Sequence, residues 1–387
     1  MQKKLIALAI AAAASGAAFA QTNVTIYGIA DVGYVGVDRD HFKYQNNINS
    51  GVLSTSRIGF KGAEDLGNGL KAIFTLEYGL LLDNNTGIGV SNGGVANARQ
   101  QFVGLTGGFG TAVAGRLQTA GLDFTVAGSA LAGSTAIGAV NLVGGPVAGA
   151  NNFPLLNAVS RANNAVAYIS PSFGGATFAI NHARLSESAA ADDRADNSAT
   201  LLAVNYDGGP LTAGLVYGLV SVEKTGAATA LTPLNAFGVA NAKNSDAKEW
   251  GVRAGYDFGV VKLQAAYQQA KLEQGLNGLG VSQGNLKNKR WVVSATVPVT
   301  AKIAVIGEYA QAKVERANNL SDNKDKAFSL AATYSLSKRT TAYAAFATQD
   351  FNNSQYNGSL VVVNGIAPGT ANRLDANYYG VGLRHAF

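Results

Sequence analysis

From Val24 onward the chain alternates apolar with polar or small residues, in segments long enough to be strands. Leu70, Ala72, Phe74, Leu76 and Tyr78 alternate with Lys71, Ile73, Thr75 and Glu77. Trp250, Val252, Ala254, Tyr256 and Phe258 alternate in the same way with Glu249, Arg253 and Asp257. Phe328, Leu330, Ala332, Tyr334 and Leu336 oppose Ala327, Ser329, Ala331, Thr333 and Ser335. Successive strand side chains point to opposite faces, so each segment has one apolar face and one polar or small face. The small, hydroxylated faces predict a surface that touches water rather than a packed core. The final segment, Asn377–Phe387, keeps the alternation to its last residue: Tyr379, Val381, Leu383 and Phe387 share the apolar side. Pairing this strand with Val24–Tyr34 would close a barrel and leave no open edge.

The connections between segments alternate between short and long. Short ones fall at 65–69, 107–110, 171–175, 207–210, around Gly259, at 298–301 and at 337–340, and are rich in Gly, Asn, Asp, Pro and Ser. Long ones fall near 38–53, 82–97, 118–162, 186–196, 223–246, 274–286, 315–325 and 351–373. Together they join about sixteen strands, with both chain ends on the short-turn side. Ahead of the first strand, Lys3 and Lys4, the apolar run Leu5–Ala14 and the small residues of Ala18–Ala20 form an export signal, with the mature protein starting near Gln21. The expected organisation is a signal peptide over 1–20 and one barrel over 21–387. Tyr78, Tyr256, Phe258 and Tyr334 are candidates for an interfacial aromatic girdle.

Composition narrows the chemistry. The chain has no Cys, which excludes disulfide frameworks and thiolate metal sites. Its formal charge of +6 falls to +4 without Lys3 and Lys4. That excess is too mild to argue for nucleic acid, and suits a chain that presents Lys and Arg to anionic headgroups or to solutes in a pore. His41, His182 and His385 lie outside metal-ligand spacing, and His182 near Ser186 lacks a nucleophile elbow, so neither an enzyme nor a metal or cofactor site is expected. Asp192–Asp196 and Ser321–Asp325 are loop charges.

Several short stretches together resemble the general porins of Gram-negative outer membranes, especially the neisserial and β-proteobacterial branch. They are Val24–Asp31, Ser56–Ala72, Arg99–Leu105, Gly107–Thr111, Gly115-Arg116, Tyr334–Thr341 and the terminal Phe387. The resemblance implies an all-β, sixteen-stranded antiparallel transmembrane barrel with short periplasmic turns, long extracellular loops and a third loop folded into the lumen. It also implies an outer-membrane homotrimer passing ions and small hydrophilic solutes by diffusion, in contact with outer-membrane lipid including lipopolysaccharide. Phe387 would be the assembly signal read by the barrel assembly machinery.

By this analogy the third loop, 118–162, narrows the pore, yet Asp123 and Arg161 are its only ionisable residues and the acidic Pro-Glu stretch common in the family is missing. The opposite wall is basic. Arg57, Arg99 and Arg116 stand at the parity opposite to Ile58 and Phe60, to Phe102, and to Val113 and Leu117, and so would point into the lumen. With Asp123 they form the expected pore constriction. Lys61, Lys71, Arg253 and Arg384 are expected on the lumen wall at undetermined heights. Arginines stay charged at any working pH, so the expected pore is weakly to moderately anion-preferring. A solute-specific channel with a saturable site is the alternative. Gly28 and Ala30 would allow close contact between barrel walls.

Overall fold

The chain ends are joined to each other. In the computed structural model, which describes residues 23–40, 43–90, 94, 97–143, 160–184, 198–222, 245–276, 282–315, 323–352 and 373–387, the last strand pairs antiparallel with the first from Ile29↔Ala386 to Arg39↔Ala376. The expected leader, its cleavage point before Gln21, and the loop residues Asp192–Asp196, Ser321 and Asp322 lie outside the described residues.

In chain order the elements are β1 (Asn23–Arg39), β2 (Gln45–Ser50), β3 (Arg57–Gly67), β4 (Leu70–Gly79), β5 (Ala98–Gly107), β6 (Gly110–Gln118), α1 (Ala120–Gly128), α2 (Ala139–Leu142) and β7 (Arg161–Ile169). They continue with β8 (Ala176–Arg184), β9 (Ser198–Gly208), β10 (Leu211–Val222), β11 (Ser245–Asp257), β12 (Lys262–Leu276), β13 (Ser282–Pro298), β14 (Ile303–Glu315), β15 (Asn323–Ser335), β16 (Thr340–Asn352) and β17 (Arg373–Ala386). Each strand from β3 on pairs antiparallel with the next, and β1 closes the ring between β17 and β3, giving a 16-stranded barrel. Strands β11 to β17 are 13 to 17 residues long, enough to cross a bilayer when tilted.

The short β2 is not a stave of the ring. The lower half of β1, Asn23–Ile29, pairs with β3, while its upper half, Val32–Val37, pairs with β2. Part of the expected 38–53 connection is therefore strand. Its sequence, Gln-Asn-Asn-Ile-Asn-Ser, carries no apolar alternation; backbone pairing with β1 and the hydrogen bonds of Ser50 Oγ with Ser56 Oγ and the Leu80 carbonyl hold it.

The apolar faces point outward: Ile26, Val103, Val166, Leu215, Val293, Leu330 and Val381 are exposed. Of the expected girdle residues, Tyr256, Phe258 and Tyr334 are exposed at the short-turn end, whereas Tyr78 is half-buried at the loop end beside Gly89. The inward faces hold the first correction. Ala327, Ser329 and Ala331 are 2%, 0% and 1% exposed, so this small-residue face is dry. Small side chains are there because a segment of the third loop packs on the inner wall.

Phe387 brings a second correction. Its backbone exchanges both hydrogen bonds with Gly28, N–H to O at 3.0 and 3.2 Å, and its ring occupies the space above Gly28. A Cβ at Gly28 would lie 2.4 Å from the ring and 2.6 Å from the Arg57 carbonyl. Gly28 is thus covered from within the same chain and is not available for the wall-to-wall contact expected of it. Gly28→Leu is expected to loosen this seam by about 1–3 kcal/mol through overpacking, lowering the temperature at which the folded band converts on a heat-modifiability gel. In a Phe387→Ala background the added cost of Gly28→Leu should shrink, because the two residues share one contact.

Candidate pore constriction

After Gln118 the chain leaves the wall and crosses the lumen. Asn181 Oδ1 on β8 accepts the Ala120 N–H at 2.9 Å, and α1 then lies across the inner faces of β8 to β12. Its anchor is Phe124, 2% exposed, packed with Leu117, Leu201, Val216 and a floor of alanines. The wall must be small to receive it: a Cβ at Gly251 would meet the Phe124 ring at 2.8 Å. Burying such a ring is worth about 1.5–3 kcal/mol.

Past α1 the loop is held by polar groups of the far wall. Glu308 on β14, 1% exposed, accepts hydrogen bonds from Ser129 Oγ at 2.5 Å, Leu131 N at 3.2 Å and Val140 N at 3.0 Å. Ser294 Oγ accepts from Ala130 N at 3.2 Å. Arg290, equally buried, donates to Gln268 Oε1 and, at 3.2 Å, to the Val140 carbonyl. A buried charge is tolerated only when protein groups replace its water, and both charged side chains are hydrogen-bonded here. Gln349 Nε2 donates to the Leu142 carbonyl at 2.5 Å.

The loop tip meets the segment between β2 and β3, with Ser134 Oγ donating to the Val52 carbonyl and Thr55 N to the Gly133 carbonyl. Asp31 holds that segment in turn. Its carboxylate, fully buried, accepts from Leu53 N at 3.1 Å, Ser54 N at 2.6 Å and the Tyr343 hydroxyl at 2.7 Å.

The wall formed by β1 and β3 to β5 carries the basic cluster. Glu77 on β4 accepts from Arg99 Nε at 2.6 Å and from the Tyr27 hydroxyl at 3.1 Å, and lies 3.6 Å from Arg57 Nε. Arg57 also donates to the Thr55 carbonyl at 3.2 Å. Lys61 stands over the Tyr27 ring, 5.2 Å from its centre. Arg161, where the loop rejoins the wall, interacts electrostatically with Arg99, Glu77, Arg116 and Arg57. One carboxylate therefore serves Arg57 and Arg99 while Arg161 adds a third positive charge nearby, and the cluster is net positive.

The structure brings together Arg57 and Arg99 but not Arg116. Phe102, Val113 and Leu117, expected on the lipid side, face inward and pack beneath α1. Arg99 nonetheless reaches Glu77, because it is the extra residue of a bulge: Glu77 pairs with Gln100 and Tyr78 with Ala98. Arg116 has no such help. It pairs with Gln101, in the row of the exposed Val103, and lies along the sheet donating to the Ala98 carbonyl at 2.8 Å and Asn163 Oδ1 at 2.5 Å.

Asp123 sits in the first turn of α1, where its charge suits the helix dipole, and accepts from Gln118 Nε2 at 2.5 Å. The cations that act on it are Arg161 and Arg253. Its carboxyl reaches lumen water, but crowding by the surrounding protein pushes its pKa up, against the opposing pull of the Gln118 hydrogen bond and the two arginines.

Arg253 faces the lumen beneath α1 and donates to Asn205 Oδ1 at 2.7 Å. Arg384 faces inward opposite Asp31 and donates to Ser54 Oγ at 3.1 Å, so it braces the β2–β3 segment. Lys71 shares the inward row of Thr75 and Glu77, at the short-turn end opposite Asp65. Glu77, Tyr27 and Arg161 complete the cluster although parity alone did not select them. Glu77 was legible as an acid on a lumen face, whereas the Glu308 and Asp31 attachments have no local signal, since their partners lie at least 168 and 22 residues away, respectively.

Residues 7–354 match the model of the Gram-negative porin family. The chain is 30% identical over 400 residues to "Outer membrane porin protein 32" of Delftia acidovorans, covering all of both chains. It is 42% identical over 125 residues, 31% of this chain and 33% of the relative, to "Major outer membrane protein P.IB" of Neisseria gonorrhoeae. Among solved structures it resembles the "Anion-selective porin from Comamonas acidovorans", with a TM-score of 0.71 and 28% identity, covering 95% of this chain and all of that one.

Removing the Glu308 carboxylate should detach the loop. In Glu308→Ala the attachment is expected to weaken by about 3–5 kcal/mol, and single-channel recordings should show larger, noisier open currents than the unmodified protein.

Proposed function

This chain belongs to the Gram-negative porin family and is an outer-membrane channel, and we propose that its basic constriction makes it an anion-preferring general diffusion pore for ions and small hydrophilic solutes. The observation that carries the reading is the charge balance around Glu77. Arg57 and Arg99 share that single carboxylate and Arg161 adds its charge to the cluster, while the described part of the third loop offers only Asp123 as an acid. In a narrow, low-dielectric passage such an excess attracts anions and repels cations. The anion selectivity named for the Comamonas acidovorans porin is in keeping with it.

The described part of the third loop is fixed on the wall from β8 to β16, and we place ion permeation between it and the wall bearing Arg57, Arg99 and Lys61. The fold and family are those of a channel rather than an enzyme, and no catalysis is proposed. We further propose a mature barrel from about Gln21 after removal of a signal peptide over 1–20, assembled as a homotrimer. Phe387 is proposed as the residue that the barrel assembly machinery reads. The outer wall would meet outer-membrane lipid, including lipopolysaccharide.

Zero-current potentials in a salt gradient test the charge reading. Arg57→Gln with Arg99→Gln should move the potential toward or past that of a non-selective pore, and Glu77→Gln should move it further toward anions. Saturable block by one candidate solute would instead assign a solute-specific channel. Acidification supplies an independent check. A carboxyl whose pKa is raised loses its negative charge earlier as pH falls, so anion preference should increase from pH 7 toward pH 4, and Asp123→Asn should diminish that increase.

A further inference from the structure

A row of three inward residues crosses the basic wall beside Arg57. Tyr27 on β1 pairs with Gly59 on β3, which pairs with Glu77 on β4. The middle residue has no side chain, so the Tyr27 ring lies over β3 and its hydroxyl reaches the next strand, donating to Glu77 Oε2 at 3.1 Å. Glycine is needed for this reach, because a Cβ at position 59 would lie 2.6 Å from the hydroxyl oxygen. The Lys61 ammonium stands over the same ring, 5.2 Å from its centre.

The Glu77 carboxylate is thereby divided between two donors. Arg99 Nε takes Oε1 at 2.6 Å and the Tyr27 hydroxyl takes Oε2. Arg57 Nε is left 3.6 Å from Oε2, within ion-pair range but too far for a hydrogen bond. Its guanidinium donates instead to the Thr55 carbonyl at 3.2 Å. The Arg57 side chain is 28% exposed, against 12% for Arg99 and 7% for Glu77, so Arg57 is the arginine of this pair that is more open to the lumen. An arginine beside a carboxylate ordinarily closes on it with short, charge-assisted bonds. Arg57 has added reason to do so, because the charges of Arg99 and Arg384 repel it and that of Glu77 attracts it. Something must keep it off, and the group that occupies the contested oxygen is the Tyr27 hydroxyl.

We propose that Tyr27 is a positioning residue for ion selectivity: its hydroxyl holds the Glu77 carboxylate toward Arg99 and off Arg57, so that the Arg57 guanidinium stays turned to the lumen as the contact for a permeating anion. Without the hydroxyl, Arg57 draws in to Glu77 or the carboxylate swings into the passage. Either movement lowers the positive field that an anion meets there. This deepens the anion-preferring reading proposed above and rests on it.

The test is the zero-current potential of the full-length protein in a planar bilayer under a potassium chloride gradient. Tyr27→Phe keeps the ring over Gly59 and beneath Lys61 and removes only the hydroxyl. It should lower the chloride-to-potassium permeability ratio by about twofold or more. In a Glu77→Gln or an Arg57→Gln background the same substitution should move the ratio little, because the hydroxyl acts only through that pair. A tyrosine that merely supports the wall would shift the ratio equally in every background. Gly59→Ala reaches the contact from the other side, displacing the ring while keeping the hydroxyl. It should reproduce the Tyr27→Phe shift and add little to it in the double variant. An unchanged ratio in Tyr27→Phe overturns the proposal, and so does an equal shift in the Glu77→Gln background. If Tyr27→Phe gives no folded band on a heat-modifiability gel, Gly59→Ala decides by the same two criteria. Potassium preference in the unmodified protein refutes the anion-preferring reading itself. Chloride preference that Tyr27→Phe leaves undiminished refutes the positioning role alone.

Discussion

The arrangement of the lumen depends on one buried carboxylate. Glu308 gathers a hydroxyl and two backbone N–H groups from three points of the third loop and presses that loop onto the far wall. A loop of small apolar residues crossing a water-filled barrel would otherwise leave many backbone groups with water as their only partner, and would lose conformational entropy for little gain. Glu308, Arg290, Ser294 and Gln349 supply partners at fixed positions, and Phe124 adds apolar burial at the loop's start. The passage is left on the opposite side, where the arginines are.

The same constraint explains the composition of the inner wall. Ala247, Ala270, Ala310, Ala312 and Ala327 are buried to within a few per cent because α1, α2 and the turns between them occupy the space that larger side chains would fill. The barrel thus has a dry half, packed like an ordinary core, and a wet half bearing charge. Asp31 ties the two halves, since it holds the segment between β2 and β3 that in turn meets the loop tip at Gly133 to Thr135.

Strand number, closure and the outward faces were legible in the sequence because period-two alternation is imposed by the lipid on every strand. The terminal strand shows this: Tyr379, Val381, Leu383 and Phe387 are all exposed. Alternation failed where the wall departs from regular pairing or where the inner face is not wet. The bulge at Arg99 reversed the local parity, Arg116 followed Gln101 outward, and Phe102, Val113 and Leu117 passed for lipid-facing residues because α1 gives them an apolar surface inside. The attachments of Glu308 and Asp31 are long-range and leave no pattern along the chain. β2 has no apolar alternation, being held by backbone pairing with β1 and by Ser50 Oγ.

The central claim is that the loop already rests on the far wall in the working channel. The chain has no Cys, so Ala130→Cys with Ser294→Cys introduces a single pair where the Ala130 N–H now meets Ser294 Oγ at 3.2 Å. Oxidation of this variant in a planar bilayer, with single-channel conductance and zero-current potential recorded before and after, tests the claim directly. The account predicts that the disulfide forms and that both quantities stay as they were. Failure of the pair to oxidise, or a large change in conductance once it has, would contradict it.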